Sequence, residues 1–215
     1  MTSIDATNSH HPDDEVDAVA QALRDALRTP GTPPPPIADA AAAAGLLDVA
    51  YATTDSPVGR LLLATTPTGL ARLAYLDGDD EEAVLADMAA RLSPRVLSAP
   101  ARLDEPRREL DEYFEGRRRR FDVALDLRLM TDFTRRVLAA TAEIPYGSLS
   151  TYRDVAMQAG SPRGSRAAGN ALGANPLPIV LPCHRVVHTG GGLGGYTGGL
   201  DRKRTLLAIE RGART

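Results

Sequence analysis

Apolar residues recur every three to four positions over residues 13–27. Val16, Ala20, Leu23 and Leu27 fall near one face there, which predicts a helix. Thr29-Pro-Gly-Thr-Pro-Pro-Pro-Pro36 follows, a run that suits neither a helix nor a central strand and reads as a linker. Residues 1–12 read as disordered, and residues 37–47 predict a second short helix. From residue 49 the period changes. Segments 49–54, 60–66 and 70–76 read as strands, punctuated by Asp55-Ser-Pro-Val-Gly59 and Pro67-Thr-Gly69. Asp79-Asp-Glu-Glu82 supplies an acidic start, favourable against the helix dipole, for a helix reaching about residue 92. Residues 104–115 predict another helix with Leu110, Tyr113 and Phe114 apolar, and Phe121, Val123, Leu125 and Leu127 alternate as one strand face. Together these form an α+β unit over 49–128.

Residues 129–215 are dominated by helical patterns. Thr131 can cap a helix carrying Phe133, Val137 and Ala140 on one side, ending before Ile144-Pro-Tyr-Gly147. Ser150 or Thr151 can open a short helix through Gln158, which Gly160 ends. Ser161-Pro162 then predicts the start of another, running to about Leu172, with serine as cap and proline in the first turn. Two short helices joined by a glycine-containing turn predict helix-turn-helix geometry. In the second helix Arg163, Arg166 and Asn170 can share a face, and Ala167, Ala168, Gly169 and Ala171 keep it slim. One arginine amid small residues fits minor-groove entry or displacement of a base better than major-groove reading. Ordinary helix packing with solvent-facing arginines accounts for the same letters.

Charge sharpens this division. The net charge of -3 conceals a balance of +6 in residues 131–215 (eleven Arg and Lys, five Asp and Glu) and -9 in residues 1–130. A basic C-terminal unit can attract a polyanion although the whole chain is acidic. The N-terminus does not read as a secretory signal, and the alanine-rich run at 40–47 is too short to span a bilayer. With a single cysteine as well, the expected compartment is the reducing cytoplasm, with no membrane association.

That cysteine carries the chemistry. Cys183 cannot close an intramolecular disulfide or join a cysteine-rich zinc cluster, and no metal site is expected. A small buried hydrophobe is one reading of it. Its setting in Pro182-Cys183-His184-Arg185-Val186 favours another, a nucleophile whose adjacent bases lower the thiol pKa and raise the thiolate fraction. The segment from His188 to Leu200 holds seven glycines. It is too irregular for a dinucleotide-binding loop and reads as a lid that closes over a small substrate.

In these segments the chain resembles the O6-alkylguanine-DNA alkyltransferases, the methylated-DNA–protein-cysteine methyltransferases. The resemblance covers roughly 49–213. It rests on Ile144-Pro-Tyr-Gly, Thr151-Tyr152, Ser165-Arg166-Ala-Ala-Gly, Ala174-Asn175-Pro, Leu181-Pro-Cys-His-Arg-Val and Gly195-Tyr196-Thr-Gly-Gly-Leu, in that order. It implies a ribonuclease-H-like domain over 49–128 and a winged-helix-like alkyl-transfer domain over 129–215. Residues 1–48 form an N-terminal extension outside the family core. The implied reaction is irreversible, single-turnover transfer of an alkyl group from guanine O6 in double-stranded DNA to Cys183. It uses no cofactor, and the protein acts as a monomer with no obligate protein partner.

The resemblance also assigns roles. His184 activates Cys183 through water and is oriented by Glu210, which by its own context also reads as a surface glutamate. Asn175 secures the turn leading to the reactive segment, and Arg185 holds that segment against the neighbouring domain. Tyr152 contacts the phosphate 3′ to the lesion, and Arg166 fills the space left by the extruded base. Tyr196 hydrogen-bonds to O6, Thr197 contacts the base, and the carbonyls of Cys183 and Val186 read its edge. Thr134 and Leu138 depart from the glutamine and tryptophan that members often carry in this helix. The main rival function is a module that recognises alkylated DNA without repairing it; relatives of that kind have the reactive cysteine replaced, which favours transfer here. A purely transcriptional helix-turn-helix protein leaves the cysteine-centred motif unexplained.

Overall fold

The computed structural model describes residues 37–77 and 80–212. The helix predicted over 13–27, the linker predicted over 29–36 and the disorder predicted over 1–12 lie outside the described residues. The chain divides into two compact units, Met1–Asp48 and Val49–Thr215. In the first, α1 (Ile37–Ala43) is shorter than the pattern predicts. The reason is Gly45, which takes φ 70° and lets the Leu46 N–H donate back to Ala41 O at 2.7 Å, closing the helix end.

The second unit begins with a four-stranded sheet of order β3-β2-β1-β4, comprising β1 (Val49–Thr54), β2 (Leu61–Thr66), β3 (Gly69–Tyr75) and β4 (Val96–Ser98). The first three form antiparallel hairpins, and β4 lies parallel to β1. β2 is buried on both faces, which explains its unbroken apolar run Leu61-Leu-Leu-Ala64. Leu62 and Ala64 pack with Met88 of α2 (Asp80–Arg91), while Leu61 and Leu63 join Leu110 and Tyr113 of α3 (Asp104–Phe114) in the main core. Three residues are too few to show a period, so β4 escaped the sequence pattern.

The strand predicted over 121–127 does not form. Phe121, Val123, Leu125 and Leu127 do pack against the core, but among the described residues the segment makes a single bridge, between Leu70 and Leu125. The buried carboxylate of Glu109 accepts the N–H groups of Asp122 and Val123 at 2.9 and 3.3 Å, so these donors are satisfied without a ladder. At the bridge, a Cβ on Gly69 would fall 2.3 Å from Ala124 O; glycine is what lets the segment cross there.

The C-terminal half follows its caps closely. Thr131 accepts the N–H of Thr134 and starts α4 (Asp132–Ala142), where Leu138 is buried in the core. Thr151 accepts the N–H of Asp154 and starts α5 (Tyr152–Gln158); Gly160 ends it at φ 78°. The next helix, α6 (Ser165–Gly173), begins later than predicted. Ser161 O accepts the N–H of Gly164, so Ser161-Pro162 opens a turn and not the helix. Arg163 therefore lies off the helix, and only Arg166 and Asn170 remain on it. β5 (Ser150–Thr151) and β6 (Val186–Val187) pair in parallel, and α7 (Leu200–Glu210) closes the chain.

Candidate active site

Cys183 sits in a single 3-10 turn, Cys183–Arg185, after a taut loop. Asn175 organises that loop. Its Oδ1 accepts the N–H of Leu177 at 2.9 Å, and its Nδ2 donates to Leu181 O at 2.8 Å and to Cys183 Sγ at 3.2 Å. Between them Ile179 is held at φ 73°, with the Val180 N–H donating to Pro178 O. A buried β-branched residue in the left-handed region costs about 1–3 kcal/mol, and the Asn175 bonds and burial of Leu177 and Ile179 hold it there.

Behind the cysteine, Glu210 at the end of α7 gathers bonds from four residues on three segments. Its Oε1 lies 2.7 Å from His184 Nε2 and accepts from Tyr113 Oη at 2.8 Å. Arg185 donates through Nε at 3.0 Å to Oε2 and Nη2 at 2.9 Å to Oε1, and the Gly147 N–H completes the set at 2.9 Å. Burial works against the charge, but the bonds from His184 and Arg185 overcome it and hold this carboxyl at about 2. An ionised carboxylate only accepts, so His184 Nε2 must carry the hydrogen. Burial lowers His184 below its ordinary value, against the pull of Glu210, so the ring is neutral at pH 7 and Nδ1 is its free base. Nδ1 is buried and has no hydrogen-bond partner among the described residues.

The expected effect of the two bases on the thiol is not observed. Burial pushes Cys183 up to about 11, while the bond from Asn175 and the charge of Lys203 pull it down. The His184 ring is neutral and Arg185 is spent on Glu210, so neither side chain lowers the thiol as the adjacent letters imply, although the His184 backbone N–H pulls it down slightly. Arg185 also differs from expectation in its partners. It grips Glu210 and Ile144 O (2.7 Å), both within the C-terminal half, and not the neighbouring domain. The residue that crosses from the first half to this cluster is Tyr113.

In front of Cys183 lies a cavity of about 680 Å³, lined by Tyr152, Arg166, Gly169, His188, Gly195, Tyr196 and Thr197 among others. Tyr152 donates to Gly195 O at 3.3 Å and packs against His188, ring centroids 5.1 Å apart. Thr197 Oγ1 donates to Gly173 O at 2.8 Å. Arg166 is exposed on the rim and, with Asn170, borders the opening. Tyr196 is deeper, its hydroxyl 2.6 Å from that of Tyr75, and burial raises it well above the ordinary tyrosine value. Val186 O does not line the cavity; it accepts from Lys203 Nζ at 2.7 Å.

Comparison with known proteins decides the family. Residues 49–127 match the 6-O-methylguanine DNA methyltransferase ribonuclease-like domain, and residues 132–212 match the DNA-binding domain of the same family. This chain belongs to the O6-methylguanine-DNA methyltransferase family. A methylated-DNA–protein-cysteine methyltransferase of Mycolicibacterium paratuberculosis is 42% identical over 163 residues, covering 76% of this chain and 93% of that protein. Its counterpart in Methanosarcina barkeri is 39% identical over 160 residues, 74% and 96% of the two chains. The crystal structure of the Mycobacterium tuberculosis O6-methylguanine methyltransferase matches with TM-score 0.67 and 40% identity, over 78% of this chain and 95% of that one. A structure of the M. tuberculosis protein in complex with DNA matches at TM-score 0.65 and 38% identity, over 76% and 94%. The fold is thus a ribonuclease-like domain followed by a DNA-binding domain. Among the described residues no helix is long and apolar enough to cross a membrane, and no cluster of His, Cys, Asp and Glu could hold a metal ion.

In this methyltransferase family member, three site residues went unnoticed in the letters. Tyr113 was legible only as part of an apolar helix face. Tyr75 ends a strand. Lys203 is fully buried, and its ammonium reaches Val186 O, Leu193 O and Gly195 O, tying the reactive segment to the glycine-rich loop. Two signals for it existed. It is the chain's sole lysine against 24 arginines, and it falls on the helical face shared by Leu206, Leu207 and Glu210.

Proposed function

We infer that this chain removes the alkyl group of O6-alkylguanine, chiefly O6-methylguanine, from double-stranded DNA by moving it to Cys183, once per molecule. Direct repair of DNA by alkyl transfer to a cysteine is the activity of this family member. The observation that carries the residue assignment is the line from Glu210 through His184 to an unpartnered Nδ1 beside the turn that bears Cys183. His184 Nδ1 takes the thiol proton through a bridging water; the thiolate attacks the alkyl carbon, and the C–O electron pair stays on guanine. The proton lost by the thiol balances the one the released guanine gains. The resulting thioether has no means of reversal here, so turnover stops.

The cavity supports the remaining roles. Extrusion brings O6 to the sulfur, with Arg166 filling the gap in the duplex and Tyr152 against the flanking phosphate. Tyr196 donates to O6 and Thr197 contacts the base, whereas Val186 O, bound by Lys203 and outside the cavity lining, is not given the base-reading role that the resemblance implies. Asn175 keeps the turn and the thiol in place. The domain division proposed is an extension to residue 48, a ribonuclease-H-like domain over 49–128 and an alkyl-transfer domain over 129–215. A chain working through one free thiol suits the reducing cytoplasm.

The test is intact-protein mass after reaction with a duplex containing one O6-methylguanine, followed by peptide mapping. One methyl on Cys183, matched by its loss from DNA, is expected. An unchanged mass in a folded protein that binds the lesion would make it a recognition module instead.

A further inference from the structure

Tyr75 ends β3 in the ribonuclease-like half, yet its hydroxyl lies 2.6 Å from that of Tyr196 in the glycine-rich loop, 121 residues away. The two rings meet edge to face with centroids 6.1 Å apart. The Tyr75 ring is held from other directions too. The Arg202 guanidinium sits over it, 4.7 Å from the centroid. A Cβ on Gly198 would fall 2.5 Å from Tyr75 Cε2, so only glycine lets the loop close against this ring. Arg202 is itself anchored, donating to Val58 O at 2.7 Å and to the two carboxylate oxygens of Asp77 at 2.9 and 2.5 Å. Tyr75 is not among the residues lining the cavity in front of Cys183; it stands behind Tyr196.

We propose that Tyr75 is a positioning residue that donates its hydroxyl hydrogen to Tyr196, committing Tyr196 to donate its own to the O6 of the departing guanine. The proposal rests on the reading of Tyr196 as the O6 contact. Each hydroxyl has one hydrogen to give and two lone pairs to receive. Without substrate the bond between them can run either way. Once O6 accepts from Tyr196, that hydrogen is committed, and the shared bond must run from Tyr75. The cation over the Tyr75 ring draws on its π-electrons and makes its O–H a stronger donor. A chain of donors polarised in one direction strengthens its last bond. That bond matters most when the C–O bond breaks and its electron pair collects on O6, as the S–C bond forms. The pairing places the first domain in the transfer step without touching the substrate.

The experiment is single-turnover methyl transfer by wild type, Y75F, Y196F and the double variant, with DNA affinity measured in parallel. Two duplexes are compared, one with O6-methylguanine and one with 8-aza-O6-methylguanine, whose extra ring nitrogen makes guanine a better leaving group. Y75F keeps the ring beneath Arg202 and removes only the hydroxyl. It is expected to slow transfer from O6-methylguanine about 10-fold at unchanged DNA affinity, and from the 8-aza base by less than about 3-fold. In the Y196F background it should add nothing. Equal slowing on both bases, further slowing beyond Y196F, or a wild-type rate for Y75F while Y196F is slow would overturn the role of Tyr75. A wild-type rate for Y196F would instead remove the O6 contact itself, and this proposal with it.

Discussion

Two environments meet at Cys183 and differ in how completely their polar groups are satisfied. Around Glu210 both carboxylate oxygens are occupied, and His184, Arg185 and Tyr113 are all buried. Around the cavity, Arg166 is exposed, Tyr152 has one 3.3 Å bond, and the bordering loop is glycine-rich. The first is arranged before any substrate arrives except at His184 Nδ1, which has no partner among the described residues, so under the proposed function proton transfer needs little reorganisation of the rest. Under the proposed function, the second takes its remaining partners from DNA. Altering a residue in the first is expected to cost stability, and altering one in the second is expected to cost little.

Four experiments can break that contrast. The largest effect belongs to the atom the two environments share. Cys183→Ala should abolish methyl transfer in the mass assay, while DNA affinity stays within about 3-fold, because binding and chemistry use different groups. Residual transfer to another residue would remove Cys183 from its role.

Next is Glu210→Gln, which keeps the shape but leaves Arg185 facing a neutral amide in a buried site. About 3–5 kcal/mol of stability should go, read by urea unfolding, together with most of the transfer rate. The pH dependence has a definite sign. The Glu210 carboxyl is depressed from 4.5 to about 2 in the folded chain, so its contribution is complete above 4.5 and fades as pH falls toward 2. The gap between wild type and variant should therefore narrow across that window. A gap independent of pH would mean that the charge of Glu210 is not what holds the cluster.

Arg166→Ala probes the open environment. Repair in duplex DNA should slow about 10-fold or more, and repair in single-stranded DNA by less than about 3-fold, since only a duplex leaves a gap to fill. Stability should change by less than about 0.5 kcal/mol. Equal slowing on both substrates would contradict the gap-filling role. The smallest effect is on the resting thiol. With Cys183 held up to about 11, its alkylation by iodoacetamide in the absence of DNA should rise roughly tenfold per pH unit toward that value. A plateau near pH 7 would show a thiolate already formed.

Sequence and structure agree where the cause is local. Thr131 and Thr151 cap the helices they were expected to cap, because a side-chain oxygen reaches an N–H three residues away whatever lies beyond. Ser161-Pro162 misled for an equally local reason. The same pair suits a turn, and Gly164, close against Ser161, settled the choice. The alternation at 121–127 reported burial truthfully but not pairing, since Glu109 took the N–H groups that a strand would have shared.

Residue type and setting singled out Cys183 with His184 beside it, and the ordered motifs carried the family resemblance, which alone pointed to Glu210; the structure brings Glu210 to within 2.7 Å of His184. Folding decided the charge state of the thiol, the partner of Arg185, and the entry of Tyr113, Tyr75 and Lys203 into the site. Those features depend on burial and on contacts such as Tyr113 with Glu210 and Tyr75 with Tyr196, 97 and 121 residues apart. A hydrogen bond or a desolvated charge exists only once distant segments are packed together, and no local pattern records which segment will arrive.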